Sequence, residues 1–334
     1  LKEDGAAATA ADVARLAGVS KWTVIRAFKT DGRIAEKTRR RVLDAAATLN
    51  YQPNLLARSL ATRRTHQVAI LVDDFDNPYK LPTLKRLTAG LQREGLLAFL
   101  VNINDDFTHS VALSNAQQRR VDSVVFFGTA YDPTAASAQI LRSSSQPTFV
   151  LARESAHDTL PSVFTDPVHG VTELAEHVYE RGYRKPVFVA GPPPAATPLG
   201  RRRQYQKFWK ARGLETLPEI RVNVYDYKTA CRVIGERFES DPQIRACDVL
   251  LCENDILALA ALDVVRYDLG LKVPSDVAVV GFDGIDLAAS GSYRLTTYRQ
   301  PFQEMVDELI EMITERKPAR RLVLRGEAII RSTT

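Results

Sequence analysis

Among its 334 residues the chain has only three cysteines, two methionines and two tryptophans. Cys231, Cys247 and Cys252 show neither a CxxC pair nor zinc-type spacing. That excludes a disulfide framework and a structural zinc site, and the thiols read as small buried hydrophobes of a reducing compartment. No run of about 18 apolar residues occurs, so no helix of the sequence reads as a membrane span. The opening LKEDGAAATAADVA has no basic stretch followed by an apolar one, so no secretory signal is read and a cytoplasmic location is expected. Nucleotide and nucleophile fingerprints are missing as well: no GxGxxG follows a strand-like run, and neither GxxxxGKS, GxxxxGKT nor GxSxG occurs. The segment GPPPAATPLG is too rich in proline to offer the backbone N–H groups that cradle phosphate. These absences weaken the main rival reading, a sugar- or polyol-processing enzyme, and no cofactor is expected.

What is present is an uneven distribution of charge. Residues 1–65 hold 13 Lys/Arg against 6 Asp/Glu, while the remainder holds 32 against 34. A basic module on a near-neutral body points to a polyanion, most often nucleic acid. Within that module Thr9 can cap a helix carrying Val13, Leu16 and Ala17 on its inner face. Gly18 stops it, Ser20 caps the next, and Val24, Ala27 and Phe28 face inward there. A third helix starts near Ala35-Glu36 with Val42, Leu43, Ala46 and Leu49 at helical spacing. Three short helices with a Gly turn between the first two make a helix-turn-helix. Its second helix reads base edges, so Lys21, Trp22 and Arg26 are the candidates for that role. Thr9, Ser20 and Thr23 suit phosphates. The next stretch, LNYQPNLLARSLATRRT, has Pro53 to end the third helix and Asn54 to cap a helix too short to stand alone in water. Such a helix suits the minor groove, with Leu60 as a wedge.

DVARLAGVSKWTVIRAF followed by PNLLARSL closely resembles the LacI/GalR family of bacterial transcription regulators. The resemblance implies a homodimer on a palindromic double-stranded operator, with hinge helices in the central minor groove contacted through Asn54, Ala57, Arg58 and Leu60. Two departures matter. Ile25 replaces the family's usual Ser, and Ala61 stands where a basic residue is common. A lost hydroxyl removes one phosphate hydrogen bond, worth about 1 kcal/mol. On that reading Ile25→Ser tightens operator binding with little change in the preferred sequence, and any unusual specificity comes from Trp22.

From His66 onward apolar runs alternate with helical stretches: 68–72, 97–101, 123–127, 148–151, 187–190, 249–252 and 277–282. Repeated βα units give doubly wound parallel sheets, whose ligands sit beyond the carboxyl ends of the strands. Asp74, Phe75, Tyr79, Phe127, Arg153, Asp255 and Asp283 follow such ends. Polar groups beside aromatic faces suit a sugar. The family resemblance extends over DFDNPY, PTFVLARE, FTDPVHG, CENDILALAALDVV and VAVVGFDGIDLA, and it puts Arg201 on the effector arginine. His169, Glu173 and His177 share one helix face, read as an exposed face rather than a metal site.

The expected fold is an all-α helix-turn-helix DNA-binding domain (8–52), a hinge helix and linker (53–65), and an α/β periplasmic-binding-protein-like effector and dimerisation domain (66–332). The last comprises two doubly wound parallel-sheet lobes, lobe 1 about 66–166 and 297–320, lobe 2 about 167–296 and 321–332. The expected function is a ligand-responsive DNA-binding regulator, most simply a repressor, with a sugar-like effector in the interlobe cleft. A sugar receptor without a DNA role would call for an export signal and no basic module. The ending GEAIIRSTT carries no leucine heptad, which favours a dimer over a tail-mediated tetramer.

Overall fold

The computed structural model describes residues 8–28, 33–53, 59, 64–75, 77–104, 106–128, 146–155, 160–193 and 199–334. Asn54, Ala57, Arg58, Leu60 and Ala61 lie outside them. The chain divides into two units, Leu1–Thr65 and His66–Thr334.

The first unit is built from α1 (Ala10–Leu16), α2 (Lys21–Ala27) and α3 (Glu36–Thr48). Thr9 opens α1 with a reciprocal cap: its hydroxyl accepts from the Asp12 N–H at 3.3 Å, and the Asp12 carboxylate accepts from the Thr9 N–H at 3.0 Å. Gly18 turns the chain at φ +59°, and the Ser20 hydroxyl then accepts from the Thr23 N–H at 3.1 Å to open α2. The core is made of Val13, Ala14, Ala17, Val24, Ala27, Val42, Ala45 and Ala46. Leu16 and Leu43, read from the sequence as inward-facing, are instead 54% and 41% exposed. At about 100° per residue, each falls roughly 100° from the middle of its helix's buried stripe, which alanine and valine fill.

The second unit begins with β1 (Gln67–Val72), α4 (Lys80–Arg93), β2 (Leu97–Asn102), α5 (His109–Gln118), β3 (Ser123–Phe127), β4 (Thr148–Leu151) and β5 (Ser162–Thr165). It continues through α6 (Pro167–Glu180), β6 (Pro186–Ala190), α7 (Arg201–Lys210), β7 (Glu219–Arg221), α8 (Tyr227–Ser240) and α9 (Pro242–Arg245). Then come β8 (Val249–Cys252), α10 (Asp255–Asp263), β9 (Ala278–Asp283), β10 (Thr296–Arg299), α11 (Phe302–Ile313), β11 (Arg321–Leu324) and β12 (Glu327–Ile329). One sheet runs β11-β5-β4-β3-β1-β2, all parallel. The other runs β12-β10-β9-β8-β6-β7, parallel except for β12 against β10. Central strands such as β3, β6, β8 and β9 are buried along their whole length, because helices cover both faces.

The lobes exchange chain at other points than the sequence reading placed them. Lobe 1 was expected to resume at 297 and end at 320. Instead Thr296–Arg299 pairs with β9 in the second sheet, and Arg321–Leu324 pairs with β5 in the first. Crossings therefore fall near 166, 300 and 325. Strands of three or four residues carry too little apolar periodicity to reveal their sheet, and pairing decides it. At the last crossing Gly326 lies so close to the Arg299 carbonyl that a Cβ would collide with it.

The His169, Glu173 and His177 face of α6 is not a solvated one. His169 Nδ1 lies 3.0 Å from the Tyr298 hydroxyl, Glu173 accepts from the Ala328 N–H at 3.1 Å, and His177 Nε2 lies 2.8 Å from Thr334 Oγ1. This face clamps the C-terminal segment to lobe 2. Among the described residues no group of His, Cys, Asp and Glu is arranged to hold a metal, and no helix is long and apolar enough to cross a membrane.

Candidate DNA-reading face and effector cleft

On the first unit the outward residues of α2 are Lys21, Trp22, Ile25 and Arg26, all exposed. The hydroxyls expected at phosphates are already engaged. Thr9 Oγ1 donates to Asp12 Oδ2 at 2.8 Å, and Ser20 Oγ and Thr23 Oγ1 lie 2.9 Å apart. A hydroxyl has one proton, so one of the Ser20–Thr23 pair retains a donor while Thr9 spends its own inside the cap. Arg26 Nη2 donates to the Arg33 carbonyl at 2.5 Å, which ties that side chain to the segment before α3.

In the second unit, buried polar side chains converge where the carboxyl ends of the two sheets face each other. Arg201 starts α7 directly after Gly200, whose φ is +79°. Its guanidinium donates to the Glu253 carbonyl at 2.5 Å, approaches Asp283 Oδ1 at 3.4 Å, and lies 3.7 Å over the Phe282 ring. Asp283 ends β9 at φ +127°, a conformation that costs a non-glycine residue strain. Gln300, at the second crossing, donates to Asp283 Oδ1 at 2.6 Å and accepts from Thr165 Oγ1 at 2.7 Å. A continuous hydrogen-bonded path thus joins Arg201 in lobe 2 to the end of β5 in lobe 1. Burial pushes the Asp283 carboxyl well above the usual carboxylate range; Arg201 opposes the shift and Asp255 adds to it.

Asn254, Tyr225, Arg153, Asn77 and Tyr79 complete the lining beside Arg201, Asp283 and Gln300. Tyr225 donates to the Glu253 carboxylate at 3.0 Å, which also accepts from the Gly191 N–H at 2.7 Å. Tyr79 stacks on Phe302 with centroids 5.1 Å apart. The interlobe cavities bounded by these groups are small, about 50 Å³ and about 10 Å³. A small-molecule site needs roughly 300 Å³ or more, so a ligand of sugar size requires the lobes to part. A larger groove of about 830 Å³ lies beside the crossings, near Pro82, Arg86, Leu287 and Glu304. It is flanked by the exposed Arg299–Glu327 ion pair, and Arg153, Arg201, Asn254 and Asp283 line the interlobe cavities rather than this groove, so the interlobe cleft is the better candidate.

Residues 9–54 match the family described as bacterial regulatory proteins, lacI family, and residues 175–334 match the periplasmic binding protein-like domain. The N-terminal module is thus that of the LacI family. The chain's relatives include the transcriptional repressor PurR of Aliivibrio salmonicida (strain LFI1238), 27% identical over 92% of each chain. A Lac repressor dimer bound to operator and the anti-inducer ONPF superposes with a TM-score of 0.84 at 22% identity, covering 98% of this chain and 99% of that one. The transcriptional regulator CelR in complex with cellobiose superposes with a TM-score of 0.69 at 25% identity, covering 98% and 100%. The chain is therefore a DNA-binding transcription regulator with the two-lobed fold of these structures.

Of the eight effector residues expected for this chain, Tyr79, Arg153, Arg201 and Asp283 line the cleft. The other four do not. Asp255 is fully buried but turned inward: its carboxylate accepts from Thr297 Oγ1 at 2.6 Å and from the Ile285 N–H at 2.8 Å. A Cβ at Gly281 would strike it, so it fills a slot between β9 and α10. Phe127 is a core residue of lobe 1 and Phe75 packs against the same core. Asp74, at φ +52°, accepts from Asn77 Nδ2 at 3.2 Å within its own turn.

Sequence reasoning missed Tyr225, Gln300 and Lys80. Lys80 has no exposed surface, donates to the Phe127 carbonyl at 2.8 Å, lies 3.5 Å from Asp73, and sits 4.4 Å over the Phe127 ring. Burial lowers its pKa and Asp73 opposes that. A lysine at the start of an amphipathic helix reads as a solvated residue, and nothing local marks it as buried.

Proposed function

We propose that the chain is a homodimeric, cytoplasmic repressor acting by binding rather than turnover, whose operator affinity is set by a sugar or sugar derivative held between the lobes. The observation that carries this reading is the convergence of Arg153, Arg201, Asn254, Asp283 and Gln300 beside the Tyr79 ring. Such a set offers paired donors and acceptors for hydroxyls and an aromatic face for ring C–H groups. The dimer on an operator is carried over from the Lac repressor and the sugar from CelR. A change in the angle between the lobes on binding an effector would act on the crossings near 166, 300 and 325, with a coupling of a few kcal/mol sufficient to switch DNA affinity.

The test uses an operator selected from a random double-stranded library with the full chain. Anisotropy titrations follow with cellobiose and a panel of sugars, sugar acids, polyols and purines. A sugar should shift operator affinity, and Arg201→Ala and Asp283→Ala should abolish the shift while leaving effector-free DNA affinity in place. Unchanged titrations in both variants would reject the pocket assignment.

A further inference from the structure

We infer that Trp22 and Ile25 form an apolar patch that reads thymine methyl groups in the major groove of each operator half-site, an inference that rests on the operator-binding reading above. Trp22 is 65% exposed and Ile25 45% exposed, while their neighbours Val24 and Ala27 are buried in the core of the first unit. Three residues apart on a helix, the two side chains lie on one face. That face is the outward side of α2, continuous with Lys21, in a unit carrying 13 Lys/Arg against 6 Asp/Glu. Its natural occupant is therefore duplex DNA.

The chemistry of the two side chains narrows what they read. An indole offers one N–H donor and no acceptor, and isoleucine offers nothing polar. Neither can make the paired hydrogen bonds by which Arg or Asn identifies guanine or adenine. The thymine C5 methyl is the apolar feature of the major groove, and contact with it releases water from both surfaces. The polar residues of α2 leave this role to the patch. Thr23 is bonded to Ser20, and Arg26 is drawn toward the Arg33 carbonyl. Ile25 thus changes meaning: in place of a missing phosphate bond, it supplies half of a methyl-reading surface.

The experiment resynthesises the selected operator with deoxyuridine at each thymine in turn, which removes one methyl and leaves base pairing intact. Binding is measured by anisotropy for the full chain and for Trp22→Ala and Ile25→Ser. One or two thymines per half-site should prove sensitive, each losing about fourfold in affinity per methyl, or about fifteenfold when both half-sites are changed. Trp22→Ala and Ile25→Ser should bind the thymine operator more weakly and cease to distinguish it from the uracil form. Their salt dependence should stay that of the parent chain, since no phosphate contact is lost.

Wild-type affinity indifferent to every uracil overturns the proposal, as it would if the patch docks a protein instead. Full discrimination retained in both variants does the same. Ile25→Ser binding more tightly to all sequences restores the phosphate reading and removes Ile25 from the patch. A library that yields no enriched sequence sinks the regulator reading itself, so the two failures are separable.

Discussion

The two functional regions handle their key side chains in opposite ways. On the DNA-reading unit the important groups stand in solvent, Trp22 at 65% exposure, above a small core of alanine and valine. In the effector cleft they are sealed in, Arg201 at 6% and Asp283 at 2%. An exposed reader can be exchanged with little cost to the fold, so its effect is confined to binding. A buried recognition group is also a structural group, because removing it leaves a charge or a hydrogen-bonding partner stranded in a medium of low polarity. Recognition and stability are separable in the first unit and entangled in the second.

The sharpest way to break this contrast is Arg201→Ala, which removes the cation beside Asp283 and the donor to the Glu253 carbonyl. We expect a loss of about 3 kcal/mol in the stability of the second unit, measured by calorimetry at neutral pH. A variant as stable as the parent would show the cleft to be as separable as the DNA face. Thr297→Val comes next. It strips the hydroxyl from the buried Asp255 carboxylate and should cost about 1–3 kcal/mol while the effector response survives, since Asp255 does not line the cleft. Lost response at full stability would return Asp255 to the site.

A pH series sharpens the comparison further. Asp283 and Asp255 both have carboxyls raised by burial. A raised acid binds more protons folded than unfolded, so its contribution is fully present below the unfolded pKa near 4 and is lost as pH rises through the folded value. Calorimetry should therefore give a lower Tm for the second unit at pH 8 than at pH 5.5, by roughly 2–4 °C per kcal/mol. Asp283→Asn should flatten that slope, and an unchanged slope would remove Asp283 as its source. The smallest effect is expected for Trp22→Ala, within about 0.5 kcal/mol on the melting of the first unit. A larger drop would mean the DNA face also supports its core.

Much of this protein was legible without coordinates. Gly18 between capped helices announced the helix-turn-helix, and buried apolar runs announced most central strands. The strand-end positions of Arg153 and Asp283 were readable because parallel sheets bind ligands there, while Arg201 was reached through the family resemblance. Asp255 was misread for an instructive reason: it follows Asn254 directly, yet successive residues at the start of a helix point in different directions. Asn254 meets the cleft and Asp255 the core.

Sequence by itself determined what periodicity, capping and charge can encode: the three-helix basic unit, the two α/β lobes and the chemical types gathered at the strand ends. Only the tertiary structure decided which of those ends share a cavity. Gln300 is 135 residues from Thr165, and Arg201 is 82 from Asp283, yet each pair meets. Contacts over such separations depend on where the chain crosses between sheets, and short strands such as β10 and β11 carry no local signal of the sheet they will join.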